Sequence, residues 1–209
     1  MIYELALVAN SQVGDEGVAE LTSIVKNALS EFQGEVLLED NWGSLMFAQP
    51  TSSGTKNGHY LYFIYKAETN ANNELERLFK INENVLKSLI IKVGATAEEG
   101  ATFIKAYKCP YSKIKPGSVT DDLEEADGGD MGKDRRRFSK RKNCWFAATK
   151  IRVDWKDPKT FGWLINEFGK ISPARVSGIS RKHQRFAETA IKRARQIGVA
   201  SYLTNRFAD

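Results

Sequence analysis

Across residues 2–93 the hydrophobic period switches between 2 and about 3.6 in a fixed order, and that order leaves few folds open. Residues 2–9 (IYELALVA) are rich in large and branched side chains and read as a strand. Val18, Leu21, Val25, Ala28, Leu29 and Phe32 then recur as one face of a helix, and Gly34 stands where a left-handed residue would end it. Two further strands are predicted over 35–48 and 59–66, separated by the loop-forming PTSSGTKNG. Leu75, Leu78 and Phe79 mark a short helix over 71–80, and Asn82-Glu83-Asn84 turns into a fourth strand, 85–93. The order βαββαβ closes as a four-stranded antiparallel sheet with both helices on one face, the ferredoxin-like arrangement. On the third strand Tyr60, Tyr62 and Ile64 alternate with Leu61, Phe63 and Tyr65, so one set faces the helices and the other an open face. The basic-glycine-aromatic signature of an RNA-recognition motif is absent there, which favours protein over RNA as that face's partner.

Residues 95–132 lose this periodicity, and Asp121–Asp130 holds six acids and two glycines in ten residues, the composition of an acidic linker. The stretch 103–116 keeps enough aromatic and aliphatic character to lie along a surface. Beyond it Asp157 and Pro158 open a predicted helix over 159–168, with Phe161, Leu164, Ile165 and Phe168 apolar and Gly169 ending it. Ser180 caps a second helix that runs to Ile197, with Phe186, Ala187, Ala190, Ile191, Ala194 and Ile197 as its apolar line and Gly198 as terminator. The expected architecture is α+β: a ferredoxin-like domain at 1–94, an acidic linker at 95–134 and a small, mostly helical domain at 135–209.

Charge separates these parts. Residues 1–130 hold 11 Lys and Arg against 20 Asp and Glu, a net of −9. Residues 131–209 hold 20 against 6, a net of +14, and the two make the chain's +5. A block that cationic repels itself unless a polyanion compensates it. Arg135, Arg136, Arg137, Lys140, Arg141 and Lys142 form a basic arm. Arg181, Lys182, Arg185, Lys192, Arg193 and Arg195 cover much of the last helix, where Glu188 is the one acid between 180 and 197. Lys170 and Arg175 stand in the small-residue loop 169–178, where backbone amides also approach a phosphate. These fourteen cations are the expected RNA-binding set; the plain alternative is a solvated helix face with a basic tail. Phe138, Trp145 and Phe146 suit base stacking, but core packing is the favoured reading for Trp145 and Phe146.

His59 and His183 with Cys109 and Cys144 offer no zinc spacing, so no metal or cofactor is expected. No Ser/His/Asp grouping, phosphate-binding glycine loop or paired carboxylate is recognisable, so an enzyme is not expected. Two cysteines in unlike contexts make a disulfide framework improbable and a reducing compartment the default. The start MIYELA lacks the features of a secretory or organellar leader, and no apolar stretch approaches a membrane span.

Two resemblances follow from particular residues. Ile2-Tyr3-Glu4, Leu38-Glu39-Asp40 with Trp42-Gly43, Ala48 with Pro50, His59-Tyr60 and Phe79–Val85 make residues 1–94 similar to bacterial small-subunit ribosomal protein six. Arg141-Lys142 with Cys144 and Phe146, Asp154–Asp157, Gly169-Lys170-Ile171 with Pro173 and Arg175, Gly178, Gln184-Arg185 and Ala190–Arg195 make residues 135–205 resemble small-subunit ribosomal protein eighteen. In those families the two are separate chains that form a heterodimer on ribosomal RNA of the small subunit's central domain, at the platform. The resemblance therefore implies a fusion and a non-catalytic structural constituent of the small subunit. It would bind RNA through residues 135–195, hold the first module as partner in cis and meet neighbouring small-subunit proteins. The implied location is the ribosome, in the cytoplasm or an organelle. A free RNA-binding regulator of translation and an enzyme on the ferredoxin-like scaffold are the rivals. Where the family has a basic pair after Trp-Gly, Ser44-Leu45 stand here, and Asn41 is an extra residue; no RNA contact is carried onto residues 1–94.

Overall fold

The computed structural model describes residues 1–111 and 144–203. The acidic stretch 121–130, Phe138 and the arm from Arg135 to Lys142 lie outside the described residues. β1 (Ile2–Asn10), α1 (Asp15–Glu31), β2 (Glu35–Met46), β3 (Asn57–Lys66), α2 (Thr69–Ile81) and β4 (Val85–Gly94) follow in the predicted order. The strands pair antiparallel in the order β2-β3-β1-β4, which puts β1 at the centre. Every residue from Ile2 to Ala9 is buried, and burial on both faces of a strand demands a layer on each.

The two layers differ in kind. On one face Tyr3, Leu5, Leu7, Leu61, Phe63 and Tyr65 pack with Leu21, Val25 and Leu29 of α1 and with Leu75 and Phe79 of α2. On the other, Ile2, Ala6, Val8, Tyr60, Tyr62 and Ile64 share one cluster with Phe146, Trp155, Phe161, Leu164, Ile191 and Ile197. The period-2 alternation of β3 thus sorts its side chains as expected. α1 ends differently from the prediction: Gln33, not Gly34, takes the left-handed conformation (φ 54), and the Gly34 amide donates to Leu29 O at 2.7 Å. That bond closes the turn on the carbonyl five residues back, so the residue before the glycine carries the positive φ.

β2 carries a bulge at Trp42. Gly43 has φ 78, and the Asn41 side chain accepts its amide at 2.8 Å while bonding the His59 ring at 2.8 Å. The extra residue turns Trp42 onto the sheet face shared with the last third of the chain, where it is buried.

Residues 95–111 are ordered, a correction to the expected loss of periodicity. α3 (Ala97–Ala106) starts with a capping box in which the Thr96 hydroxyl accepts the Glu99 amide and the Glu99 carboxylate accepts the Thr96 amide. Tyr107 and Tyr111 then lie on the sheet face. After α4 (Trp145–Thr149), the predicted helix over 159–168 is replaced by two 3-10 turns, Pro158–Thr160 and Gly162–Leu164. The Asn166 side chain takes the amides of Phe168 and Lys170, which diverts the backbone from helical bonding. α5 (Ala174–Ser177) is one turn, and α6 (Arg181–Ile197) matches its predicted span, with the Ser180 hydroxyl accepting the His183 amide and Gly198 left-handed at φ 90.

Candidate nucleic-acid interface

One attachment of the basic third of the chain is a buried carboxylate. Glu4, 4% exposed near the start of β1, accepts the Trp155 indole N–H at 2.9 Å, the Tyr62 hydroxyl at 2.8 Å and the Lys156 ammonium at 3.2 Å. Lys156, equally buried, also meets Asp154 at 3.1 Å and lies 5.0–5.5 Å from the ring centroids of Trp155, Phe103 and Tyr62. Trp42, Tyr62 and Tyr107 stack across the same face, with Tyr111 and Trp155 tilted against Trp42. Burial drives the Tyr62 phenol far above its ordinary value, with the Glu4 carboxylate pushing the same way. Tyr107 rises through burial and its bond to Asp40, and Tyr111 is pushed up to about 12, chiefly by burial.

The second attachment lies at the end of α6. The Tyr60 hydroxyl donates to Ile197 O at 3.0 Å, and the Ala48 amide donates to Gly198 O at 2.9 Å. Ala187, Ala190, Ile191, Ala194 and Ile197 are buried as the period required. Phe186 departs from that line: it is 54% exposed. Trp145 is 40% exposed rather than in the core, while Phe146 is fully buried against Trp163 and His183.

With one face held, α6 turns its cations outward. Arg181, Lys182 and Arg185 are exposed, as are Lys170 and Arg175 on the preceding loop. Lys192 is exposed but paired with Glu188 at 2.8 Å. Arg193 is half-buried. Arg195 is committed inside the fold: its guanidinium donates to the carbonyls of Ser201 (3.0 Å) and Gly169 and sits over the Tyr202 ring. Arg135, Arg136, Arg137, Lys140, Arg141 and Lys142 fall outside the described residues.

A cleft of about 1010 Å³ runs between α6, residues 150–156 and the end of α3. Lys182, Phe186, Thr189 and Arg193 of α6 line it, one helical stripe at intervals of three and four. Lys108, Lys150 and Arg152 line it too, and sequence reasoning missed all three because isolated cations form no run. Lys150 ends α4 in the left-handed conformation at φ 56, uncommon for a residue with a side chain. Cys109 and Cys144 form no disulfide with each other, and Cys144 lies 3.2 Å from the His183 ring. Among the described residues no group of three or more His, Cys, Asp or Glu could hold a metal ion, and no helix is long and apolar enough to cross a membrane.

Compared with known proteins, the family described as Ribosomal protein S6 matches residues 2–92, and that described as Ribosomal protein S18 matches residues 149–200. Small ribosomal subunit protein bS18 of Anaeromyxobacter dehalogenans is 47% identical over 76 residues, 36% of this chain and 57% of that protein. The protein of the same name from Syntrophobacter fumaroxidans is 45% identical over 71 residues, 34% of this chain and 88% of that protein. The chain thus spans little more than half the length of the first relative and most of the second. The crystal structure of 30S ribosomal protein S6 from Thermotoga maritima aligns with 50% of this chain and 95% of its own length, at 19% identity and a TM-score of 0.43.

Proposed function

Because the chain belongs to the ribosomal protein S18 family and carries ahead of it a segment matching the S6 family, we propose that it is a non-catalytic constituent of the small ribosomal subunit that binds ribosomal RNA of the central domain, at the platform. The observation that carries the RNA reading is the two-faced α6. Its apolar line, Phe186 apart, is buried, while Arg181, Lys182 and Arg185 face solvent and the helix's single acid, Glu188, is already engaged by Lys192. Cations held on a helix with no ion-pair partner among the described residues neutralise phosphate at little ordering cost. Lys170, Arg175 and Arg193 extend the surface, and the arm of Arg135, Arg136, Arg137, Lys140, Arg141 and Lys142 is assigned the same role from its sequence. Arg195 is assigned to holding the C-terminal turn.

Residues 1–94 act, in this proposal, as a protein partner in cis rather than as an RNA binder. The Glu4 contacts with Trp155 and Lys156 and the net charge of −9 over residues 1–130 support that division. A tether of this kind raises the effective concentration of the second part to the order of millimolar.

Salt titration of RNA binding tests the reading. Replacing Arg135–Arg137 by Ala should flatten the dependence of log affinity on log salt by roughly 0.7–0.9 per lost contact, and Arg181, Lys182 and Arg185 should behave alike. An unchanged slope in both variants rejects the assignment. A structural constituent also stays with small subunits through sedimentation at moderate salt, whereas a free regulator separates from them.

A further inference from the structure

Phe186 breaks the pattern of its own helix. Every other exposed residue of α6 is polar or charged, yet this ring, 54% exposed, stands on the stripe that lines the cleft. The cations around it, Lys108, Lys150, Arg152, Lys182 and Arg193, make no ion pair among the described residues. The two acids of the cleft are already used: Glu4 and Asp154 both hold Lys156. The cleft therefore offers an open aromatic face inside an uncompensated positive rim. An anion alone has no use for the ring, and an apolar peptide has none for the rim. A nucleotide uses both, since its base has a π-face and its phosphates are anionic. A paired base keeps its faces inside the helical stack, so the base must be unpaired.

We propose that this cleft seats one unpaired nucleotide of an RNA strand, the base laid on the Phe186 ring and the flanking phosphates on Lys150, Lys182 and Arg193. The proposal rests on the RNA reading above and adds which form of RNA the surface selects. Residues 150–153 line the cleft together with α6, and Trp155 and Lys156 of the same segment dock on Glu4, so the seat depends on that docking.

The full-length chain is titrated with a short single-stranded uridine oligonucleotide and with a blunt RNA duplex of the same length. The wild type is expected to bind both, and Phe186→Ala to weaken single-strand binding by roughly 5–100-fold while leaving duplex binding within about 2-fold. Phe186→Leu should lose as much as the alanine variant, and Phe186→Trp should retain wild-type affinity, because the contact needs an aromatic face. Unchanged thermal unfolding shows that each variant folds, as expected for an exposed ring. If Phe186→Ala or Phe186→Leu binds the single strand like wild type, the seat is overturned while the broader RNA reading stands. If the wild type binds neither RNA, both fall. If it takes the single strand only after Asp121, Asp122, Glu124 and Glu125 are changed to the corresponding amides, the cleft's occupant is the chain's own acidic stretch and the proposal is wrong.

Discussion

Glu4 and Lys156 are the two buried ions on the sheet face that carries the last third of the chain, and each is satisfied mainly by residues distant in sequence. Removing one partner of such a pair strands the other in a poorly polarisable site. Glu4→Gln keeps the shape, leaves Lys156 with Asp154 alone, and should cost about 3 kcal/mol of unfolding free energy in urea titration. Combining it with Lys156→Met leaves no buried ion and should recover most of that loss; strictly additive losses would show that the two charges do not depend on each other. His59 makes a smaller, pH-dependent contribution. Burial holds its imidazole below the ordinary 6.5, outweighing the opposite pull of Asp15. Below 6.5 the unfolded chain therefore takes up a proton that the folded chain resists, so stability present above that pH is lost as pH falls toward the folded value. His59→Gln retains a donor for Asn41 and should lose less stability than wild type between about pH 8 and about pH 5, measured by denaturant midpoint.

α3 begins with a capping box and packs Phe103 and Ile104 against the core. Replacing Thr96 by Ala removes the hydroxyl that accepts the Glu99 amide and should cost about 1 kcal/mol, read as earlier amide exchange through 97–106. The motif was legible, a Thr with Glu three residues on, but Gly94 and Gly100 on either side hid it. A Cβ at Gly100 would meet the tip of the Ile2 side chain, which would have to shift. The sheet, α1, α2 and α6 were legible because each buries a regular stripe. Residues 159–168 misled because Phe161 and Leu164, the pair that is fully buried, are spaced as well for a 3-10 turn as for an α-helix, and Phe168 is exposed. At the site, runs such as RRRFSKRK announced themselves, whereas Lys108, Lys150 and Arg152 converge only in three dimensions. Phe186 was placed in the core because its spacing fits the apolar line, and the composition of a stripe does not tell where its edge falls. β3 and the segment after α3 share a further property: Tyr60, Tyr62, Tyr107 and Tyr111 are all raised, first by burial. The unfolded chain ionises its tyrosines near 10.0 while the folded chain resists, so stability falls as pH rises above 10.0. Tyrosinate absorbance from these rings should appear in one steep step coincident with unfolding, and a broad titration preceding unfolding would contradict their burial.

At the scale of the molecule, the cluster formed by Ile2, Ala6, Val8, Tyr60 and Tyr62 with Trp155, Phe161, Ile191 and Ile197 has no boundary at the middle of the chain. Each side supplies the other's apolar cover, so neither buries its surface alone, and cooperative unfolding of both is expected. The tether's contribution is separable from that of the contact. A protease site introduced within 121–130 cuts the chain without touching any residue of the cluster. Before cleavage the unfolding midpoint should be independent of protein concentration. Afterwards the two pieces should still co-elute at micromolar concentration, but the midpoint should fall and rise again with concentration, since docking has become bimolecular. Pieces that separate at once would place the stability in the tether. A midpoint unaffected by cleavage and dilution would mean that the two halves hold themselves independently, and that the Glu4 anchor positions the basic surface without stabilising it.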